Sequence, residues 1–168
     1  GSSRMLHSRR RPGSTLTFSL LLLLFPGYVL KAAGPERVIA ISADQQRIQD
    51  IVDAFMARLP LRQRVSVSVV PKNPLMFSVE FDKVDADTGF RLSVQEDFIG
   101  ELTQEELEAA VAHELGHVWI FTHHPFLQTE ALANEIAMRL VPRTNLLQVY
   151  EKVWQRQGTR GDLRYMGD

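Results

Sequence analysis

The strongest local instruction in this chain is a helix start at Thr103. Thr103 and Glu106 have the spacing of a capping box, in which each side chain satisfies an orphan backbone N–H near the other, and Leu102 and Leu107 stand where a hydrophobic staple would. The helix predicted from this start runs from about Gln104 to Ile120, and His113-Glu114-Leu115-Gly116-His117 lies inside it. Residues i and i+4 sit one above the other on a helix face, so both imidazoles can reach one tetrahedral zinc ion at about 2.0–2.1 Å. In such an HExxH pattern Glu114 lies beside the first ligand, where its carboxylate can act as general base toward a metal-activated water and return the proton to a leaving amine. With 5 histidines in 168 residues, chance yields about 0.01 such matches. Four of those five histidines fall between positions 113 and 124.

Two residues compete to be the third ligand. His123 stands six residues after His117, the spacing of HExxHxxGxxH, but that pattern uses a glycine to turn the chain back. Here the slot holds Ile120, a β-branched residue poorly suited to positive φ. Glu130, at the start of the next predicted helix, is the better candidate: a carboxylate from a second helix completes a His2Glu set. Asn134, one turn further on, would then face the same way and hold a liganding histidine from behind. His124, Glu135 or water are the remaining options.

The rest of the body reads as a mixed α+β chain. Ile48, Ile51, Val52, Phe55 and Leu59 carry the spacing of an amphipathic helix over Asp44–Leu59, with Ser42 and Gln45 as its capping box and Pro60 as its stop. Short β-type runs are predicted at Arg37–Ser42, Gln63–Val70, Leu75–Phe81 and Phe90–Gln95, with a polar turn over Asp85–Gly89. After the HExxH helix, Pro125 interrupts, and helices are predicted over about Glu130–Val141, ended by Pro142, and Asn145–Gln157, capped by Thr144 and closed by Gly158. The segment from Gly158 to Asp168 reads as a mobile tail. The domain boundaries that follow are 1–34, 35–157 and 158–168.

Charge is distributed unevenly. All 20 acidic residues lie at or after Glu36, while five of the 19 Lys and Arg residues precede Gly34, leaving a body with 14 basic against 20 acidic residues, net −6. That balance argues against nucleic acid as a partner. The basic head has its own explanation. Gly1–Arg4 reads as a remnant ahead of Met5; Arg9, Arg10 and Arg11 precede the apolar run Leu16–Leu30; Pro26-Gly27 and Ala32-Ala33-Gly34 follow the layout of an export signal. The run is shorter than the ~20 residues of a membrane span. The expectation is an exported chain, secreted or periplasmic, with the segment either removed or kept as an anchor facing outward. The absence of cysteine excludes a disulfide framework and a thiolate metal cluster.

Phe90–Val118 and Glu130-x-x-Ala133-Asn134 resemble the HtpX-like peptidases of the gluzincin group. Leu102, Thr103, Glu106, Leu107, Ala109, Val111, Ala112, His113, Glu114 and His117 match that family's active-site helix. Asn134, where the family has Asp, is closer to the ImmA/IrrE-like branch, whose ExxAN helix ends in proline as this one does at Pro142. The likeness covers about residues 63 to 142. It implies a minimal zincin-like domain, in which a small antiparallel or mixed sheet packs on the HExxH helix and two further helices close the site. It also implies that Phe90, Arg91, Leu92, Ser93 and Val94 line the rim of the cleft as an edge strand, able to pair with an extended peptide. Tyr150, His124 and Tyr165 are the candidates for a transition-state donor. The expected function is therefore a zinc-dependent endopeptidase acting on unfolded or extended polypeptide, with one Zn2+ per chain and Glu114 as base. The alternative is a non-catalytic, zinc-stabilised binding or scaffold module.

Overall fold

Among the described residues three short strands make one sheet, and nearly everything apolar in them faces the same way. The computed structural model describes residues 41–84, 87–161 and 163–166. The leader expected over residues 5–34 lies outside the described residues, as does most of the strand expected over Arg37–Ser42. Ser42 itself caps α1 (Ala43–Arg58), its hydroxyl accepting the Gln45 backbone N–H at 3.1 Å. There follow β1 (Arg64–Val70), β2 (Phe77–Val84), β3 (Asp87–Gln95), the single-turn α2 (Glu96–Ile99), α3 (Gln104–His123), a 3-10 turn at Pro125–Leu127, α4 (Glu130–Ala137), α5 (Arg143–Gln157) and a 3-10 turn at Leu163–Met166. The α+β class and the small mixed sheet agree with expectation.

The strand order is β1-β3-β2, with β1 parallel and β2 antiparallel to β3. The register stacks Val65, Phe90 and Phe81 in one row, Val67, Leu92 and Val79 in the next, and Val69, Val94 and Phe77 in the third. Side chains alternate between the faces of a strand, so these rows share one face. The intervening row Ser68, Ser93 and Ser78 makes the other face polar. The helices pack on the apolar side, where α3 contacts α1, α4, α5 and β2.

This order corrects one expectation. Phe90, Arg91, Leu92, Ser93 and Val94 are not an edge: β3 is the middle strand, and its backbone is paired on both sides. The edge beside the HExxH helix is β2. The chain reaches it from β1 by passing over the end of β3, a crossing pinned by buried Asn73. Its backbone N–H donates to Gln95 Oε1 at 2.9 Å, its amide to Ser93 O and Ser78 Oγ at 3.0 Å, and its Oδ1 accepts the Leu75 N–H at 3.0 Å. The turn so formed holds Met76 at φ 61°, a left-handed conformation kept by a buried side chain.

The capping box at Thr103 and Glu106 is formed in both directions, with Glu106 N–H donating to Thr103 Oγ1 at 3.3 Å and Thr103 N–H to Glu106 Oε2 at 2.7 Å. From it α3 runs through Ile120 to His123 without turning back, and Ile120 is fully buried. The expected helix after Glu130 ends earlier, at Ala137, and α5 begins at Arg143 behind Pro142. Gly158 closes α5 at φ 65°, as its position suggests. In the tail, Met166 is 2% exposed, its carbonyl accepts from Arg143 Nε at 3.3 Å and the turn it ends contacts α4, while residues 158–161, 163 and 164 are exposed. No helix among the described residues is long and apolar enough to cross a membrane.

Candidate metal centre

α3 and α4 meet so closely that a side chain cannot fit between them. A Cβ added at Gly116 would lie 2.5 Å from the Ala133 carbonyl oxygen. This approach brings the start of α4 against the HExxH face of α3. Thr129 caps α4, its hydroxyl accepting the Leu132 N–H at 3.2 Å, which places Glu130 in the first turn.

Two imidazole nitrogens and both oxygens of one carboxylate converge there. His113 Nε2 and His117 Nε2 are 3.2 Å apart, Glu130 Oε2 lies 3.2 Å from the first, and Glu130 Oε1 lies 3.4 Å from the second. His113, His117 and Glu130 form a group that could hold a metal ion. The outer ring nitrogens are engaged elsewhere. His113 Nδ1 is 2.7 Å from Asn134 Oδ1, and His117 Nδ1 is 3.1 Å from Gln128 Oε1. The Gln128 amide also donates to His117 O at 3.0 Å, which turns its oxygen toward the ring. An amide oxygen can only accept, so each neutral ring carries its proton on Nδ1 and presents the Nε2 lone pair inward. An acceptor behind the outer ring N–H is the usual arrangement for liganding histidines, and here a side-chain amide oxygen fills that place.

The electrostatics agree with a centre made for positive charge. Hydrogen bonds with His113 and His117 hold the Glu130 carboxyl far below the usual carboxylate range, despite partial burial. Burial pulls the His117 imidazole down, but hydrogen bonds with Glu130 and Gln128 and the charges of Glu114 and Glu130 outweigh it and lift it. Glu114 is 9% exposed and lines the same cleft. Burial pushes its carboxyl up, as does the charge of Glu130. His113, His117 and a hydrogen bond from the Val79 backbone N–H pull the other way, and burial wins.

Tyr150, on α5, closes the back of the centre. Its hydroxyl lies 3.3 Å from Glu130 Oε2 and from Asn134 Oδ1, and accepts from Asn134 Nδ2 at 3.2 Å. Burial raises its phenol above the ordinary value, so the proton stays in place. Of the other candidates, His123 is exposed and stacks on Trp119 with ring centroids 4.2 Å apart, its Nδ1 2.9 Å from Trp119 O. His124 lies beside the same indole, and Glu135 is exposed on α4. None of these three belongs to the converging group. The side chain of Tyr165 lies outside the described residues. Gln128 was not anticipated, since it sits in the irregular link between helices. Gly116 was visible only as a glycine interrupting a helix, a costly choice that asks for a packing reason.

A cleft of about 620 Å³ runs past the centre, between β2 and α3 on one side and α5 on the other. No family model, curated protein or solved structure matches the chain.

Proposed function

We propose that this protein is a zinc-dependent endopeptidase of the gluzincin type with a zincin-like fold. The observation that carries the reading is the spacing of the ligand atoms. Tetrahedral zinc with nitrogen and oxygen ligands at about 2.0–2.2 Å requires them to be about 3.3–3.5 Å apart. Here the two Nε2 atoms are 3.2 Å apart, and each has a different Glu130 oxygen beside it, Oε2 at 3.2 Å from His113 and Oε1 at 3.4 Å from His117, close to that spacing. His113, His117 and Glu130 would hold the ion, with Asn134 and Gln128 fixing the two rings. Zinc in that position supplies Lewis-acid polarisation of a carbonyl and acidification of a water to near pH 7.

The protein's own groups then have distinct tasks. Glu114 takes the proton of the attacking water and delivers it to the amine that leaves, and its burial keeps the carboxylate basic enough to do so. The edge of β2, unpaired with any other strand among the described residues and with the Val79 N–H turned to Glu114, holds the polypeptide extended by the main-chain groups that are left. Tyr150 keeps Glu130 and Asn134 in register. The likeness of Leu102–His117 and Glu130–Asn134 to HtpX-like enzymes supports the same reading, and the leader at residues 5–34 supports action outside the cytoplasm.

Elemental analysis of the purified chain tests it. About one zinc per chain is expected, lost on His113→Ala with His117→Ala, sharply weakened by Glu130→Ala and little changed by His123→Ala. Stoichiometric zinc in the double histidine variant would overturn the assignment. Zinc that exchanges with no proteolysis under any condition would favour the non-catalytic module.

A further inference from the structure

The cleft beside the metal centre has an aromatic end whose rings are held in place yet left half open. Phe81 of β2 is 46% exposed and Phe121 of α3 is 44% exposed, while Phe90 beneath them is 5% exposed. Their ring centroids are 5.4–5.7 Å apart, with Phe90 edge-on to both of the others. All three line the cleft. Phe121 follows His113 and His117 at the next i+4 position, so it stands about 6 Å along the helix from the second histidine. An extended chain advances about 3.3 Å per residue, which puts the aromatic end within two residues of the bond to be cut.

Charge sharpens the point. Among the described residues lining the cleft, acidic, basic and imidazole side chains are confined to His113, Glu114, His117 and Glu130, with no Lys, Arg or Asp. A charged substrate side chain at the aromatic end would therefore lose water and find no counter-charge. Half-exposed aromatic rings with a rigid base offer instead a surface on which an apolar side chain removes area from water on both partners.

We propose that Phe81, Phe90 and Phe121 form a side-chain subsite, selecting a bulky apolar residue of an extended polypeptide within two positions of the scissile bond. This rests on the endopeptidase reading for its register, but binding can be measured without turnover. Three fluorescent peptides of otherwise Gly and Ser sequence, carrying one central Phe, Lys or Glu, are titrated into the zinc-loaded full chain bearing Glu114→Gln, with fluorescence anisotropy as readout. The Phe peptide is expected to bind at least tenfold tighter than the other two. Phe121→Ser and Phe81→Ser, introduced separately, are each expected to cut that ratio at least threefold with an unchanged circular dichroism spectrum, since both rings already meet solvent.

Equal binding of the three peptides by the parent overturns the proposal, and that arm needs no substitution at the subsite. So does a ratio that neither serine variant alters, or sedimentation showing a self-associated chain that Phe121→Ser makes monomeric. Preference without any cleavage by the Glu114 form would sink the endopeptidase reading and leave the subsite standing. Cleavage with no preference for apolar residues would do the reverse.

Discussion

Replacing Gly116 with alanine sets two effects of opposite sign against each other. Alanine is the better helix former by about 1 kcal/mol in a helix interior, so a helix free of neighbours would be stabilised. Here the new Cβ would meet Ala133 O at 2.5 Å and Ala133 C and Cα at 3.1 Å, against an ordinary contact distance of 3.4 Å or more. All three atoms are backbone, so no rotamer change relieves the clash and α4 must retreat by about 1 Å. Overpacking of this kind typically costs about 1–3 kcal/mol, and the rigid partner places the cost in the upper part of that range. The expected balance is a net loss of about 1–2 kcal/mol, a fall in Tm of about 3–8 °C. Because α4 carries Glu130 and Asn134 on either side of the contact, metal affinity should fall about 10- to 100-fold, as when the groups backing a ligand are disturbed. Thermal unfolding in excess chelator reads the first quantity free of metal, and competition with a fluorescent chelator reads the second. A Gly116→Ala chain at least as stable as the parent, with unchanged affinity, would refute the close α3–α4 contact on which the centre depends.

Tyr150→Phe removes the hydroxyl from Glu130 and Asn134 while keeping the ring. It should weaken metal binding about fivefold, the equivalent of one hydrogen bond of ~1 kcal/mol; unchanged affinity in the same competition assay would contradict that role. Glu106→Gln keeps a capping box, which accepts either residue, but loses the 2.6 Å pair with Lys152. Burial raises the Glu106 carboxyl, but Lys152 and the Thr103 N–H outweigh it and hold the group below its ordinary 4.5. The stabilisation is therefore full above that ordinary value and fades as pH falls through the lowered one. Urea denaturation should show a loss of about 1 kcal/mol at pH 7 and a smaller one near pH 3, and an equal loss at both would remove the ion pair from the account.

What the sequence made legible was local. The capping pairs Ser42 with Gln45 and Thr103 with Glu106 mark helix starts because the backbone groups they satisfy are within three residues. The convergence of His113, His117 and Glu130 follows from one helical period and one short connection. What was hidden depends on pairing at a distance. Phe90–Val94 has the same alternation whether it lies at an edge or in the middle, and only the crossing from β1 to β2, tied by Asn73, decides that it is central. A lone Met166 in a polar tail carries no periodicity, so its burial against α4 leaves no trace in the pattern. Gln128 belongs to neither helix, and its place behind His117 arises from the return of the chain between them. The end of α3 was extended for a related reason. The His124 N–H still reaches Ile120 O at 2.7 Å and His123 packs on Trp119, so the helix continues until Pro125 stops it.

We propose that Glu114, buried beside His113, His117 and Glu130, does the proton work of peptide hydrolysis. The most direct test compares zinc-loaded parent and Glu114→Gln chains on an unfolded polypeptide, with new amino termini counted over time and zinc content measured on the same samples. Equal zinc in both and a rate at least ~10²-fold lower in the glutamine form are expected. Equal rates from two chains with equal zinc would contradict it.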